Sequence, residues 1–437
     1  MKKLLLASIA LVIFSIQVFA LISEKVAFEE SELKSPIEKD FFNDLDNGKL
    51  EKFNYYDAFI IASDITKESD FIYYQDELKK IREKALKGIN NTEDPYDVAK
   101  KLLIWLHDNT LKKYRYDATL VSDIIDNGEF NCLSASVLYA ILANDLGLDV
   151  SGVIVKDHAF CMLKDPRGDK DIETTVRYGF DPGTREIEQL KEVTRYIYVP
   201  KKEYALRRNV TILQLIGALY SNLAGAVVSK TEQEKIDFEA ELPKYKKGYF
   251  FDQEAKVFTT DIGACLNNLA LKYMEKKEYD SAYKYLRQAR KFDPENEDFK
   301  NLEKKYFSDK AMIEIKLGNY EKGIGYMKIA LGFYPKDEKL LNNLAVCYVS
   351  WGNTFFEKKD FESASISFSQ GFKLVPENEA LRQNTKASFF NYAIEQYNKK
   401  RFVRAVEIAN KGLDLFPDDT DFIKIKQASE GLNVENR

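Results

Sequence analysis

Four stretches decide the architecture: YDSAYKYLRQARKFDP at 279–294, YEKGIGYMKIALGFYP at 320–335, FESASISFSQGFKLVP at 361–376 and FVRAVEIANKGLDLFP at 402–417. Their closing prolines, Pro294, Pro335, Pro376 and Pro417, stand 41 residues apart. Twelve positions before each proline come Ala282, Gly323, Ala364 and Ala405, and five before come Ala289, Ala330, Gly371 and Gly412. Fifteen before come Tyr279, Tyr320, Phe361 and Phe402, and twenty-four before come Ala270, Ala311, Gly352 and Ala393. Small residues at fixed phases let two antiparallel helices approach closely, and the aromatic plugs the turn between them. Proline ends the second helix because it cannot continue the hydrogen-bond ladder.

This periodic set resembles the tetratricopeptide (TPR) repeat, which orders small residues, aromatics and a closing proline in the same way. The TPR period is 34 residues, and here it is 41. Seven extra residues are about two helical turns. They fall between each proline and the next small residue, so each first helix is expected to be elongated. Residues 253–432 are therefore assigned four TPR-like repeats and a terminal capping helix. The resemblance implies an all-α solenoid whose concave face docks a protein or peptide partner.

Upstream, the chemistry-bearing residues are few. The chain has two histidines, His107 and His158. His107 lies in an amphipathic helical pattern opening at Asp97, with Leu102, Leu103, Trp105 and Leu106 inward, and reads as a partly exposed helical residue. Cys132 to Leu146 reads as a buried helix, capped by Asn131 and ended by Gly147. Val150–Val155 and His158–Lys164 read as strands, and 165–168 as a turn. Asp171–Tyr178 reads as a third strand. A helix N-terminus stabilises a thiolate, an imidazole can hold its proton, and a carboxylate can orient the imidazole. Cys132 and His158 fit that scheme, and Asp171 and Glu173 both qualify as the acid, since strand residues two apart share a face. Cys161 has the opposite strand parity to His158 and reads as core. Asn131 is first a cap and second an oxyanion donor.

Residues 102–109 (LLIWLHDN), 127–134 (NGEFNCLS), 138–148, His158-Ala159-Phe160 and Ile172-Glu173-Thr174-Thr175 together resemble the transglutaminase-like superfamily. The resemblance covers roughly residues 95 to 185, with 26 residues from Cys132 to His158 and 15 from His158 to Glu173. It implies an α+β, papain-like cysteine fold, a helix packed on an antiparallel sheet, where Cys132, His158 and Glu173 converge as a catalytic triad. The family's acid is usually Asp followed by Pro-Thr. Glu173-Thr174-Thr175 takes that place here, which leaves Asp171 open as an alternative. Phe160 stands where the family often has Trp. The reaction class implied is amide hydrolysis or acyl transfer on proteins or peptides. The alternative is a catalytically inactive transglutaminase-like binding module in a TPR envelope adaptor.

Composition bounds the rest. The chain has 437 residues, 45% of them hydrophobic and 31% charged, which allows two or three domains. A net charge of -5, from 65 basic and 70 acidic residues, offers no broad basic surface, so nucleic acid is set aside as a partner. The histidines and four scattered cysteines give no zinc spacing, and no phosphate-binding glycine loop is present, so no metal or cofactor is expected. Cys265 and Cys347 lie two repeats apart, too far to bond without distortion, and a Cys132–Cys161 bridge would silence the thiol. Lys2 and Lys3 precede an apolar run from Leu4 to Ile22, with Val18-Phe19-Ala20 suited to signal-peptidase cleavage. Residues 1–22 are expected to be a signal peptide or a membrane anchor, placing the body outside the cytoplasm, in the periplasm or cell envelope of a bacterium. Residues 23–94 read as a helical N-terminal extension, 95–200 as the transglutaminase-like domain and 201–252 as a helical connector. Residues 187 to 240 read as helix, and the apolar segment Ile212 to Val228 as packed rather than membrane-spanning.

Overall fold

A computed structural model describes residues 32–45, 50–89, 94–156, 158–182, 207–231 and 235–435. The expected signal or anchor at 1–22 and the stretch 183–206 lie outside the described residues. The chain divides into two compact units: residues 1–269 with 288–293, and 270–287 with 294–437.

The first unit opens with α1 (Pro36–Asp44), α2 (Tyr55–Ala62), α3 (Glu68–Gly88) and α4 (Pro95–Asn109). After α4 come β1 (Lys113–Tyr114), α5 (Val121–Asn127), β2 (Glu129–Phe130) and α6 (Cys132–Asp145). The strands β3 (Val150–Val155), β4 (His158–Leu163), β5 (Lys170–Ile172) and β6 (Arg208–Val210) form one antiparallel sheet in the order β5-β4-β3-β6. Helices α7 (Ile212–Lys230) and α8 (Phe238–Phe251) follow, and α9 (Lys256–Glu275) runs past the division between the units.

The centre of this unit is α6, in which every residue from Leu133 to Ala143 is buried. It packs on β3 and β4 on one side and meets α2, α3, α4 and α7 on others. A helix surrounded on all sides needs no polar stripe, and its sequence has none. Gly147 ends it with φ +75°, donating to the Asn144 carbonyl while Leu148 donates to that of Ala143.

The pleat divides β4 between two environments. Ala159, Cys161 and Leu163 join the core around α6. Phe160 and Met162 point the other way, into a separate apolar cluster with Val153 and Val155. Cys161 is fully buried, its Sγ donating to the Ser136 carbonyl at 3.3 Å.

Two expectations are corrected here. The third strand was expected over Asp171–Tyr178, but β5 covers only Lys170–Ile172. The chain turns back at once: Glu173 N donates to the Gly179 carbonyl at 2.8 Å, and Ile172 bridges to Phe180. Gly179 permits the turn, since a Cβ there would sit 2.1 Å from the Glu173 carbonyl oxygen. The helical reading of 187–240 also misses β6, which pairs with Gly152–Ile154 of β3. Three residues are too few to show an alternating pattern. Helix α7 lends Leu215, Ile216 and Leu219 to the same core.

In the second unit, after α10 (Tyr279–Phe292), helices of 20 and 14 residues alternate: α11 (Glu297–Lys316), α12 (Tyr320–Phe333), α13 (Glu338–Glu357), α14 (Phe361–Leu374), α15 (Glu379–Asn398) and α16 (Phe402–Leu415). The terminal α17 (Thr420–Glu435) takes the place of a further first helix. The first helices are the longer ones, each ~30 Å. Neighbours along the chain pack on each other, and α11 on α13, α13 on α15 and α15 on α17 pack side by side. This is a TPR-type solenoid.

The small residues sit where backbones come closest. A Cβ on Gly352 would meet the Phe368 ring at 2.3 Å, and one on Gly371 would meet Tyr348 at 2.6 Å. Phe361 packs edge-on against Phe356 across the hairpin turn, and Phe402 does the same with Tyr397. The repeat carries one more signal, two residues past each proline. Asn296, Asp337, Asn378 and Asp419 accept hydrogen bonds from the amides three residues on, capping the next helix. Such a cap is worth ~1 kcal/mol. Two substitutions measure these terms by urea denaturation of the full chain. Gly371→Val is expected to cost about 1–3 kcal/mol through overpacking, and Asn378→Ala about 1 kcal/mol.

Candidate functional site

The site forms where α6 begins. Asn131 is extended, and its Oδ1 accepts from the amides of Leu133 and Ser134 at 3.0 and 2.9 Å. Its Nδ2 donates to the Tyr116 carbonyl and to Thr119 Oγ1. The Asn131 side chain is therefore spent on structure, which corrects its secondary reading as an oxyanion donor. Cys132 follows as the first helical residue, partly exposed, and its backbone N–H is the first-turn amide that Asn131 does not take.

Of the two candidate acids, Glu173 contacts the histidine. His158 Nε2 lies 2.7 Å from Glu173 Oε2. A carboxylate only accepts, so Nε2 carries the hydrogen and the lone pair of neutral His158 is on Nδ1. Nδ1 is buried and has no hydrogen-bond partner. The Cys132 thiol lies near enough to act on the charge of this ring. Asp171 lies across from Met162 and forms a bidentate pair with Arg207, at 2.7 and 3.1 Å. That guanidinium stands over Phe160, whose ring stacks on His158 at 6.0 Å.

The electrostatics of His158 follow from these neighbours. Burial works against the charged ring, but the Glu173 charge, then the contacts with Cys132 and Glu173, push its pKa up to about 10 from an ordinary 6.5. Burial likewise works against ionised Glu173, yet the His158 charge and the bonds from His158 and Thr175 hold the carboxyl below its usual range. The signs decide where the pair counts. The raised histidine stabilises the fold below its ordinary value and loses that contribution as pH rises toward 10. The depressed glutamate contributes above its ordinary value and loses it under acid. The pair is thus charged across the neutral range.

The turn that carries Glu173 is tied down from three sides. Oε1 of Glu173 accepts from Thr175 Oγ1 at 2.6 Å and from the Thr175 amide at 3.1 Å. His107 on α4 reaches the Thr174 carbonyl oxygen with Nε2 at 3.0 Å, and its neighbour Asp108 pairs with Arg177 at 2.7 Å. His107 is the partly exposed helical residue expected from the sequence, edge-on to Phe130 at 5.6 Å, and burial, helped by the Arg177 charge, lowers its pKa. Periodicity reports the face of a helix and not the loop packed on it, so no local signal marks this contact.

All four cysteines are free thiols. Burial raises the pKa of Cys161 and Cys265, and that of Cys347 to about 11. Among the described residues no cluster of His, Cys, Asp or Glu could hold a metal ion, and no helix is long and apolar enough to cross a membrane.

No family model matches the chain, and no curated protein does either. Solved structures similar to it include a TPR repeats protein from Bacteroides fragilis, 13% identical, covering 49% of this chain and 98% of that one, with a TM-score of 0.30. YrrB, described as a TPR protein with an unusual peptide-binding site, is 18% identical over 48% of this chain and 92% of its own, with a TM-score of 0.15. The TPR domain of P58(IPK) is 13% identical over 51% and 73%, with a TM-score of 0.16. At such scores the superpositions carry no argument, and the assignment to TPR-type repeats stands on the chain's own packing.

Two measurements check the electrostatics. In protein labelled with ¹⁵N-histidine, the His158 ring is expected to titrate well above an ordinary imidazole, and Glu173→Gln is expected to bring it down. Gly179→Ala, which drives a methyl into the Glu173 carbonyl, is expected to lower the same midpoint.

Proposed function

We propose that this chain is an exported transglutaminase-like cysteine hydrolase or acyltransferase whose TPR-type repeats dock a protein or peptide partner. One observation carries the reading: a single buried imidazole has an acid bonded to Nε2, and the helix-terminal thiol of Cys132 lies within electrostatic reach of the same ring. Export is read from the paired lysines and the apolar run after them, and an uncleaved anchor would hold the protein at the membrane.

The chemistry follows from the charge on His158. The proton passed from Cys132 to the ring rests on the imidazolium, and Sγ attacks the carbonyl carbon of an amide. The Cys132 amide and the N-terminal dipole of α6 stabilise the negative charge that develops on the carbonyl oxygen. His158 returns the proton to the leaving amine as the C–N bond breaks, leaving a thioester. Water or a second amine attacks that thioester, giving its proton to His158, and the thiol is restored. Glu173 holds the ring and offsets its positive charge throughout.

Iodoacetamide at pH 6 tests the reading. Cys132 is expected to alkylate about tenfold or more faster than Cys161, Cys265 and Cys347, and His158→Ala to remove that advantage. A mass increment for an acyl group on Cys132, lost in Cys132→Ala, would identify the thioester directly. If Cys132 reacts no faster than the buried thiols, the domain is a binding module in an envelope adaptor and not an enzyme.

A further inference from the structure

Behind the reactive pair lies a buried hydroxyl network that the mechanism above does not use. Ser136, one turn along α6 from Cys132, donates from Oγ to the Cys132 carbonyl oxygen at 2.7 Å. The same Oγ lies 2.7 Å from Thr174 Oγ1. A hydroxyl has one hydrogen, and that of Ser136 is engaged with a carbonyl oxygen, so Thr174 donates to Ser136. The backbone carbonyl of Thr174 can only accept, so His107 donates to it from Nε2. Ser136 and Thr174 are both fully buried. Thr174 is thus held by α4 through its carbonyl and by α6 through its side chain. Its chain neighbour Glu173 is the group bonded to His158.

We infer that Thr174 is a positioning residue, latched between His107 and Ser136, that ties the location of the acid to the location of the thiol. The inference rests on the proposed reading of Cys132, His158 and Glu173. Its physical basis is distance. The Coulomb term between Glu173 and His158 falls as their separation grows, and a turn of so few residues can drift by an ångström once its anchor is gone. The Ser136 link adds something a cap or a packed side chain would not. It joins the acid turn to the first turn of α6, so a shift of either is shared by both.

The groups that set the charge on His158 come from two elements. Cys132 lies on α6 and Glu173 on the turn after β5. Tyr114 on β1 is within electrostatic reach of both Cys132 and Glu173. Behind the turn, His107 and Asp108 face it from α4, with Arg177 paired to Asp108.

The test reads the His158 ring in the full chain, and the scarcity of histidine makes it tractable, because only two ring signals are present. Thr174→Val keeps the shape and removes the hydroxyl, whereas Thr174→Ser keeps the hydroxyl. The expected result is that Thr174→Val lowers the His158 titration midpoint by about one pH unit and slows Cys132 alkylation several-fold, while Thr174→Ser restores both. A role confined to stability would lower the melting temperature and leave the midpoint in place, which overturns the inference. If Thr174→Val does not fold, His107→Leu against His107→Gln repeats the contrast at the other anchor, since Gln retains a donor for the Thr174 carbonyl. Equal midpoints in those two variants overturn it as well. Glu173→Gln separates the two levels of the argument. If it leaves Cys132 reactivity and the His158 midpoint unchanged, the proposed function fails. If it lowers both while Thr174→Val lowers neither, only the latch fails.

Discussion

The burial of α6 on every side is the constraint from which the first unit is built. A helix whose residues from Leu133 to Ala143 all lie inside cannot slide or rotate without opening a cavity, and cavities in cores cost several kcal/mol. Its N-terminus is therefore held in place relative to β3 and β4, and Asn131 fixes the point at which the helix begins. The partly exposed thiol at Cys132 inherits that rigidity. Glu173 lies on the short turn after β5, which side chains from α4 and α6 restrain.

Polarity is arranged around that helix end with little waste. The Asn131 amide is used twice, once toward the helix and once toward the segment at 116–119. Asp171, a neighbour of the acid by sequence, is turned to Arg207 and out of competition for His158. Of the two carboxylates, Glu173 then acts on the imidazole, whose charge depends on how well Glu173 is held. The Glu173 carboxylate also accepts from Thr175, which offsets part of the desolvation that the pair incurs.

The second unit obeys a different rule. Its helices are not surrounded but stacked, and what fixes them is the absence of side-chain atoms at Gly352, Gly371 and Gly412 where a ring from the neighbouring helix enters. Caps at Asn296, Asp337, Asn378 and Asp419 start each long helix at the same phase. Repetition makes these constraints add, so the solenoid is specified by many small terms and not by one core residue.

The sequence by itself determined the repeats, because close approach demands small residues and a chain reversal demands a breaker. Both leave marks at fixed intervals that survive without any knowledge of contacts. It also determined the buried helix at Cys132, its cap and the two strands after it, since burial and turn chemistry are local in the chain. Only the tertiary structure decided which carboxylate meets His158. Asp171 and Glu173 differ by two positions on what read as one strand, and the choice between them turns on where the chain folds back at Gly179. The role of His107 and the pairing of β6 with β3 were equally hidden. Contacts between residues far apart in the chain are set by how elements pack, and no periodicity in either partner records them.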